Sequence, residues 1–131
     1  MNTPIKPAAT VILMREAEHG FAIFIAQRSN KSPFGSVYVF PGGKVDHADF
    51  DKDLYDYCEG LDDKSASKKL GLTSDGLAYW IACIRECFEE SGILLTNKND
   101  PLLHDEAKLH SYRTQLNAGK IALGDKLRVV C

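Results

Sequence analysis

The stretch Arg85–Ile93 reads RECFEESGI and brings Glu86, Glu89 and Glu90 into about two turns of a helix. Residues three and four apart on a helix are neighbours, so the three carboxylates form one patch. Like charges at those spacings cost roughly a few tenths of a kcal/mol per pair. Arg85 lies four positions before Glu89 and can orient one carboxylate. A divalent cation more than reverses the remaining repulsion. Mg²⁺ takes hard oxygen ligands in octahedral geometry, often a few carboxylates together with substrate phosphates, so the patch suits phosphate chemistry. The alternative is a solvated helix face, because glutamates are common on exposed helices. A second stretch, VFPGGKVD at Val39–Asp46, sets Gly42 and Gly43 at a corner. Glycine has no side chain, and such a corner lets backbone approach a ligand closely.

The patch needs a helix to carry it. Leu77, Ile81, Ile84 and Phe88 recur at helical spacing over Gly76–Gly92, with Trp80 and Cys87 widening the stripe. Ser74 or Asp75 can cap the start, and Gly92 ends it. The apolar stripe and the carboxylates occupy different faces. Upstream, Ala9–Arg15 and Phe21–Ser29 are apolar, β-branched runs joined by a turn, which predicts an antiparallel hairpin buried on both faces. SVYVF, residues 36–40, predicts a third strand stopped by Pro41, Gly42 and Gly43. Residues 93–96, ILLT, predict a further strand, and Asp105–Ile121 a second amphipathic helix with Leu109, Tyr112, Leu116 and Ile121 inward. KLRVVC predicts a short last strand or a frayed tail. Residues 47–75 are acidic and glycine-punctuated. They read as an insertion with modest structure of its own, including a short helix from Asp62 or Asp63 to Gly71.

The 131 residues allow one domain, residues 1–131, with a real core. A 44% hydrophobic and 26% charged composition with net charge −2 is that of a soluble globular chain. It offers no basic field for nucleic acid or an anionic membrane. The charge is uneven: Lys44–Asp75 holds nine acidic against five basic residues. No apolar run approaches the ~20 residues of a membrane span. The N-terminus lacks a secretory core, and no Cys or His spacing suggests zinc. Reduced thiols in a cytoplasmic protein are the expectation for Cys58, Cys83, Cys87 and Cys131.

RECFEESGI resembles the second half of the Nudix box, R-E-U-x-E-E-x-G-U with U apolar, at every specified position. FPGGKVD resembles the strand end and glycine turn that open the same box. In the ordinary box the second glycine precedes the arginine by fourteen residues, whereas Gly43 precedes Arg85 by forty-two. The difference is an insertion of about 28 residues, at about 47–75. The glutamate found six after the glycine falls on Asp49. This split box is similar to the Nudix branch that includes peroxisomal coenzyme A diphosphatases, and the resemblance runs from Ala9 to about Ala118. Upstream, QRS…G…VFPGG partly resembles the coenzyme A signature of that branch. It lacks the arginine in mid-loop, where Lys31 is the nearest basic residue.

The resemblance implies an α/β class, with an α/β/α sandwich around a mixed sheet, incomplete at the C-terminus beside the longer split-box relatives. It implies metal-dependent cleavage of the pyrophosphate in a nucleoside diphosphate linked to another group, foremost coenzyme A or acyl-coenzyme A. ADP-ribose or a dinucleotide is the alternative substrate, and a non-catalytic protein of the same fold the alternative class. Mg²⁺ or Mn²⁺ is the implied cofactor, held by Glu86, Glu89, Glu90 and the Gly43 carbonyl. Arg85 orients the glutamates. Glu86 or a residue on another loop acts as base. Arg28, Gly42 and Gly43 bind substrate, while Tyr38 and Phe34 either stack on adenine or simply pack. His47, His104 and His110 read as surface residues. The small-molecule nucleotide is the one implied partner; oligomeric state stays open.

Overall fold

The computed structural model describes residues 3–27, 37–125 and 127–131. The apolar N-terminal third forms short strands: β1 (Ala8–Thr10), β2 (Met14–Ala17), β3 (Gly20–Ile23), β4 (Ala26–Gln27), β5 (Tyr38–Val39) and β6 (Gly42–Lys44). β2 and β3 make an antiparallel hairpin at the expected turn, with Met14 opposite Ile23 and Ala17 opposite Gly20. The runs expected to form it, Ala9–Arg15 and Phe21–Ser29, each divide between two strands, and β1 pairs elsewhere. Gly20 turns at φ +111°, a conformation that favours glycine. β4 pairs with β5, also antiparallel.

Another expectation for this third changes. The hairpin is not buried on both faces: Phe21, Met14 and Ile23 are 69%, 59% and 51% exposed. The third strand stops before Pro41 as expected, and the two glycines then open a strand of their own. β6 contains both of them and pairs antiparallel with β1, Ala9 opposite Gly43. The reason is proximity. A Cβ at Gly42 would lie 2.5 Å from the Ala9 carbonyl oxygen and 2.7 Å from the Thr10 Cα, so only glycine lets these backbones meet.

The acidic segment, residues 47–75, is more ordered than its composition suggests. A 3-10 turn (His47–Phe50) leads to α1 (Lys52–Tyr55), β7 (Cys58–Glu59) and α2 (Asp63–Leu70). The Asp62 side chain caps α2 by accepting from the Ser65 N–H, and Gly71 closes it at φ +68°. α3 (Gly76–Ser91) then carries the glutamates. Neither Ser74 nor Asp75 caps it with a side chain. α2 does so instead. The Asp63 carboxylate accepts from the N–H groups of Asp75 and Leu77 at 3.1 and 3.0 Å, and Ser67 Oγ accepts from Gly76 N–H at 2.8 Å.

Leu77, Ile81, Ile84 and Phe88 are all buried, in a core shared with Leu54, Leu116, Leu123 and Val129. Ala78 and Ala82 lie on another side of α3, fully buried with Val45, and their small size admits β1 and β6. After α3 come a 3-10 turn (Pro101–His104), α4 (Glu106–Asn117), a 3-10 turn (Leu123–Asp125) and β8 (Val129–Val130). Residues 93–96, expected as a strand, join no ladder among the described residues. One backbone bond, Val130 N–H to the Leu95 carbonyl at 3.0 Å, holds them. β8 pairs with β7 in parallel. The architecture is mixed α/β, but the described strands pair two by two, in four ladders, rather than in one mixed sheet. No helix among the described residues is long and apolar enough to cross a membrane.

Candidate metal and active site

The stretches Val39–Asp46 and Arg85–Ile93 meet at α3. A Cβ built on Gly43 would overlap the Glu86 carboxylate, so the glycine corner packs directly on the first glutamate of the ridge. Arg85, 6% exposed, sits beneath them. Its Nε and Nη2 donate to the two oxygens of Asp49 at 2.9 and 3.0 Å. Nη1 donates to Glu86 Oε1 at 3.0 Å and Glu89 Oε2 at 3.1 Å. Nη2 also donates to the Lys44 carbonyl at 2.9 Å. A guanidinium has five N–H donors, and these five bonds use them all.

The electrostatics follow from burial. Burial alone lowers the proton affinity of Arg85, but the Asp49 hydrogen bonds and charge, then Glu89 and Glu86, outweigh it and push the pKa up. Glu89 lies above the ordinary carboxylate value, first because it is buried; the Arg85 charge opposes this and Glu86 adds to it. Cys83, one turn before Cys87, is pushed up to about 11 by burial and then by Cys87, Asp49 and Glu86. It therefore stays a thiol at neutral pH and is no nucleophile here.

Glu90 stands apart. Its side chain is exposed and makes no hydrogen bond or ion pair among the described residues, while its carbonyl accepts from Arg113 Nη2 at 2.9 Å. No three His, Cys, Asp or Glu side chains converge closely enough to hold a metal ion among the described residues. In kind, the donors still suit a hard cation. They are all oxygens, and Arg85 takes only one from each of Glu86 and Glu89, while the space a Gly43 side chain would need is filled by the Glu86 carboxylate.

Two clefts are lined by residues of these stretches. One, of about 330 Å³, lies between Asp46, Asp49, Arg85 and Glu89 and the segment Gly119–Leu123. The other, of about 410 Å³, is lined by β1, Val39, Phe40, Gly42 and Gly43. Tyr38 is 64% exposed and lines neither. Arg28, Lys31 and Phe34 lie outside the described residues. His47, His104 and His110 are exposed. Trp80 packs at the edge of the core.

Sequence reasoning missed the supports of the ridge. Arg113 of α4 donates from Nε to the Glu89 carbonyl at 3.0 Å and from Nη2 to the Glu90 carbonyl, closing the C-terminal end of α3. The signal was available in principle: the last carbonyls of a helix need donors, and Arg113 adjoins the inward stripe of α4 at Tyr112. Asp63 and Ser67 left no such mark, because their partners lie across a fold the local pattern does not specify.

The chain is 31% identical to the acyl-coenzyme A diphosphatase NUDT19 of Xenopus laevis, over 69% of this chain. That span is 34% of the relative, so the chain covers about a third of its length. No protein-family model matches the chain. No solved structure matches it either.

Proposed function

We propose that the chain is a Nudix-type hydrolase that cleaves the diphosphate of a nucleoside diphosphate linked to another group, with coenzyme A or acyl-coenzyme A the first candidate. One observation carries the reading. Gly43 and Glu86, forty-three positions apart, are in contact, while Arg85 gathers Asp49, Glu86 and Glu89 into the same cluster. The likeness to a diphosphatase supports it, as does the packing of the glutamate-bearing helix α3 against β1 and β6. Glu86, Glu89 and Glu90, with the Gly43 carbonyl, would hold Mg²⁺ or Mn²⁺, which when bound neutralises charge developing on phosphoryl oxygens. The chain's own residues do the rest. Arg85, with every donor used, fixes Glu86 and Glu89 rather than contacting substrate. The proton of an attacking water goes to Glu86 or to a residue on another loop. Gly42 and Gly43 offer the substrate backbone rather than open space, since their Cβ positions are filled by β1 and Glu86, and Arg28 is retained as a phosphate contact.

A second reading, a non-catalytic protein with the same arrangement, is favoured by the separation of Glu90 and by the lack of three converging metal-ligating side chains among the described residues. A turnover screen in Mg²⁺ and in Mn²⁺ over coenzyme A, acyl-coenzyme A, ADP-ribose, NADH and dinucleotide polyphosphates decides between them. The hydrolase reading expects cleavage of at least one, with Glu89→Gln and Glu90→Gln folded and losing most turnover. A folded chain that cleaves none selects the second reading.

A further inference from the structure

The cleft on the Arg85 side contains a cation that the reading above does not use. Lys120 lines it, across from Asp49, Arg85 and Glu89. The backbone there is held by the end of α4. Gly119, at φ +66°, donates its N–H to the Leu116 carbonyl at 3.0 Å, and Lys120 donates its N–H to the Gln115 carbonyl at 2.9 Å. This pair of bonds is a Schellman motif, and its left-handed glycine turns the chain off the helix axis at a fixed point. Lys120 is thereby delivered to the cleft wall from a helix that also supports the glutamate ridge through Arg113.

Charge pairing singles this lysine out. Arg85, the other cation at the cleft, has no donor left. Lys120 forms no ion pair among the described residues, although Asp46, Glu89 and Asp125 line the same cleft. An ammonium on a long stem is a mobile point charge well suited to phosphate oxygens. Asp46 lies 3.5 Å from Arg85, Glu89 accepts from it, and Asp125 accepts from the Ala122 N–H, so each of these carboxylates has a partner and the group left for Lys120 is an anion brought by the ligand. We propose that Lys120 binds the diphosphate of the substrate in this cleft, a role that rests on the hydrolase reading.

The test is calorimetric titration of ADP, a diphosphate, into the wild-type chain, Lys120→Met and Lys120→Arg at saturating Mg²⁺, with Mg²⁺ alone titrated as control. Lys120 is exposed, so both variants keep the wild-type melting temperature. The expected result is ADP affinity about tenfold weaker in Lys120→Met, retained in Lys120→Arg, with Mg²⁺ affinity unchanged. On a cleaved substrate, KM rises by a similar factor while kcat holds, the pattern of a contact made equally in ground and transition states. Equal ADP affinity in wild type and Lys120→Met overturns the proposal, as does a wild type that binds no ADP. ADP binding that depends on Lys120 without turnover of any substrate upholds the lysine's role and removes the hydrolase reading alone.

Discussion

At the scale of single residues, the decisive fact is that Arg85 is saturated. A buried guanidinium with five satisfied donors is a structural pin, and Asp49, 1% exposed, supplies two of its bonds. Removing one partner of a buried pair leaves an uncompensated charge, so Asp49→Asn is expected to lower unfolding free energy by about 3 kcal/mol in urea titration. A loss under about 1 kcal/mol, the scale of exposed pairs, contradicts the pin. Glu89 gives a prediction of opposite sign. Its pKa lies above its ordinary value of 4.5, so between the two values the folded chain binds a proton that the unfolded chain does not. The stability linked to that proton is present below about pH 4.5 and is lost as pH rises through the raised value. Glu89→Gln cannot ionise but still accepts from Arg85. In metal-free buffer the variant should match the wild type near pH 4 and unfold at higher urea at pH 7. A wild type more stable than Glu89→Gln at pH 7 contradicts this. The glutamate patch was legible in the sequence because helical spacing alone brings its members together. The saturation of Arg85 was not, since two of its acceptors, Asp49 and the Lys44 carbonyl, arrive from some forty residues away.

At the scale of elements, the acidic segment, residues 47–75, proves to be part of the support for α3. Helix extents and stops were readable from periodicity, from Asp62, and from the glycines at 71 and 92, because caps and stripes are local. How α3 begins was not readable. Its first N–H groups bond to Asp63 and Ser67 of α2, and Asp75 sits at φ +61° without capping. Asp75 is instead ion-paired to Lys52, with the Tyr55 hydroxyl donating to it at 3.4 Å. This cross-helix cap makes Gly76→Ala a sharp discriminator. Helix propensity alone favours alanine by about 1 kcal/mol. In the structure the added Cβ would overlap the Ser67 backbone and lie 2.7 Å from the Ala66 carbonyl carbon, which cannot swing away as a side chain can. The variant should therefore be destabilised by about 1–3 kcal/mol, the cost of overpacking a buried site. A stabilised Gly76→Ala, measured by thermal or urea unfolding, means that α2 does not pack on the start of α3. Asp63→Ala should cost about 1 kcal/mol, as the loss of a helix cap does.

At the scale of the whole molecule, apolar surface is distributed unevenly. The core gathers around α3, whereas the β2–β3 hairpin leaves Met14, Phe21 and Ile23 more than half exposed, with Ile12 and Ile25 close in sequence and similarly open. The apolar runs were legible as strands, and the hairpin formed in a sensible register. Burial on both faces was not, because alternation tells which residues share a face and says nothing of what covers it. Scattered apolar residues on a surface are ordinary, but a contiguous patch marks an interaction site or an aggregation hazard. Replacing Phe21 and Met14 by serine removes apolar area that folding leaves in water, so the stability change should stay within about 0.5 kcal/mol. The same double variant should bind less of an apolar fluorescent dye and show less concentration-dependent light scattering than the wild type. The two readouts must move apart for the surface assignment to hold. If unfolding stability instead falls by about 2 kcal/mol or more, as for large apolar side chains removed from a core, these residues are covered in solution. The hairpin would then pack against something other than water.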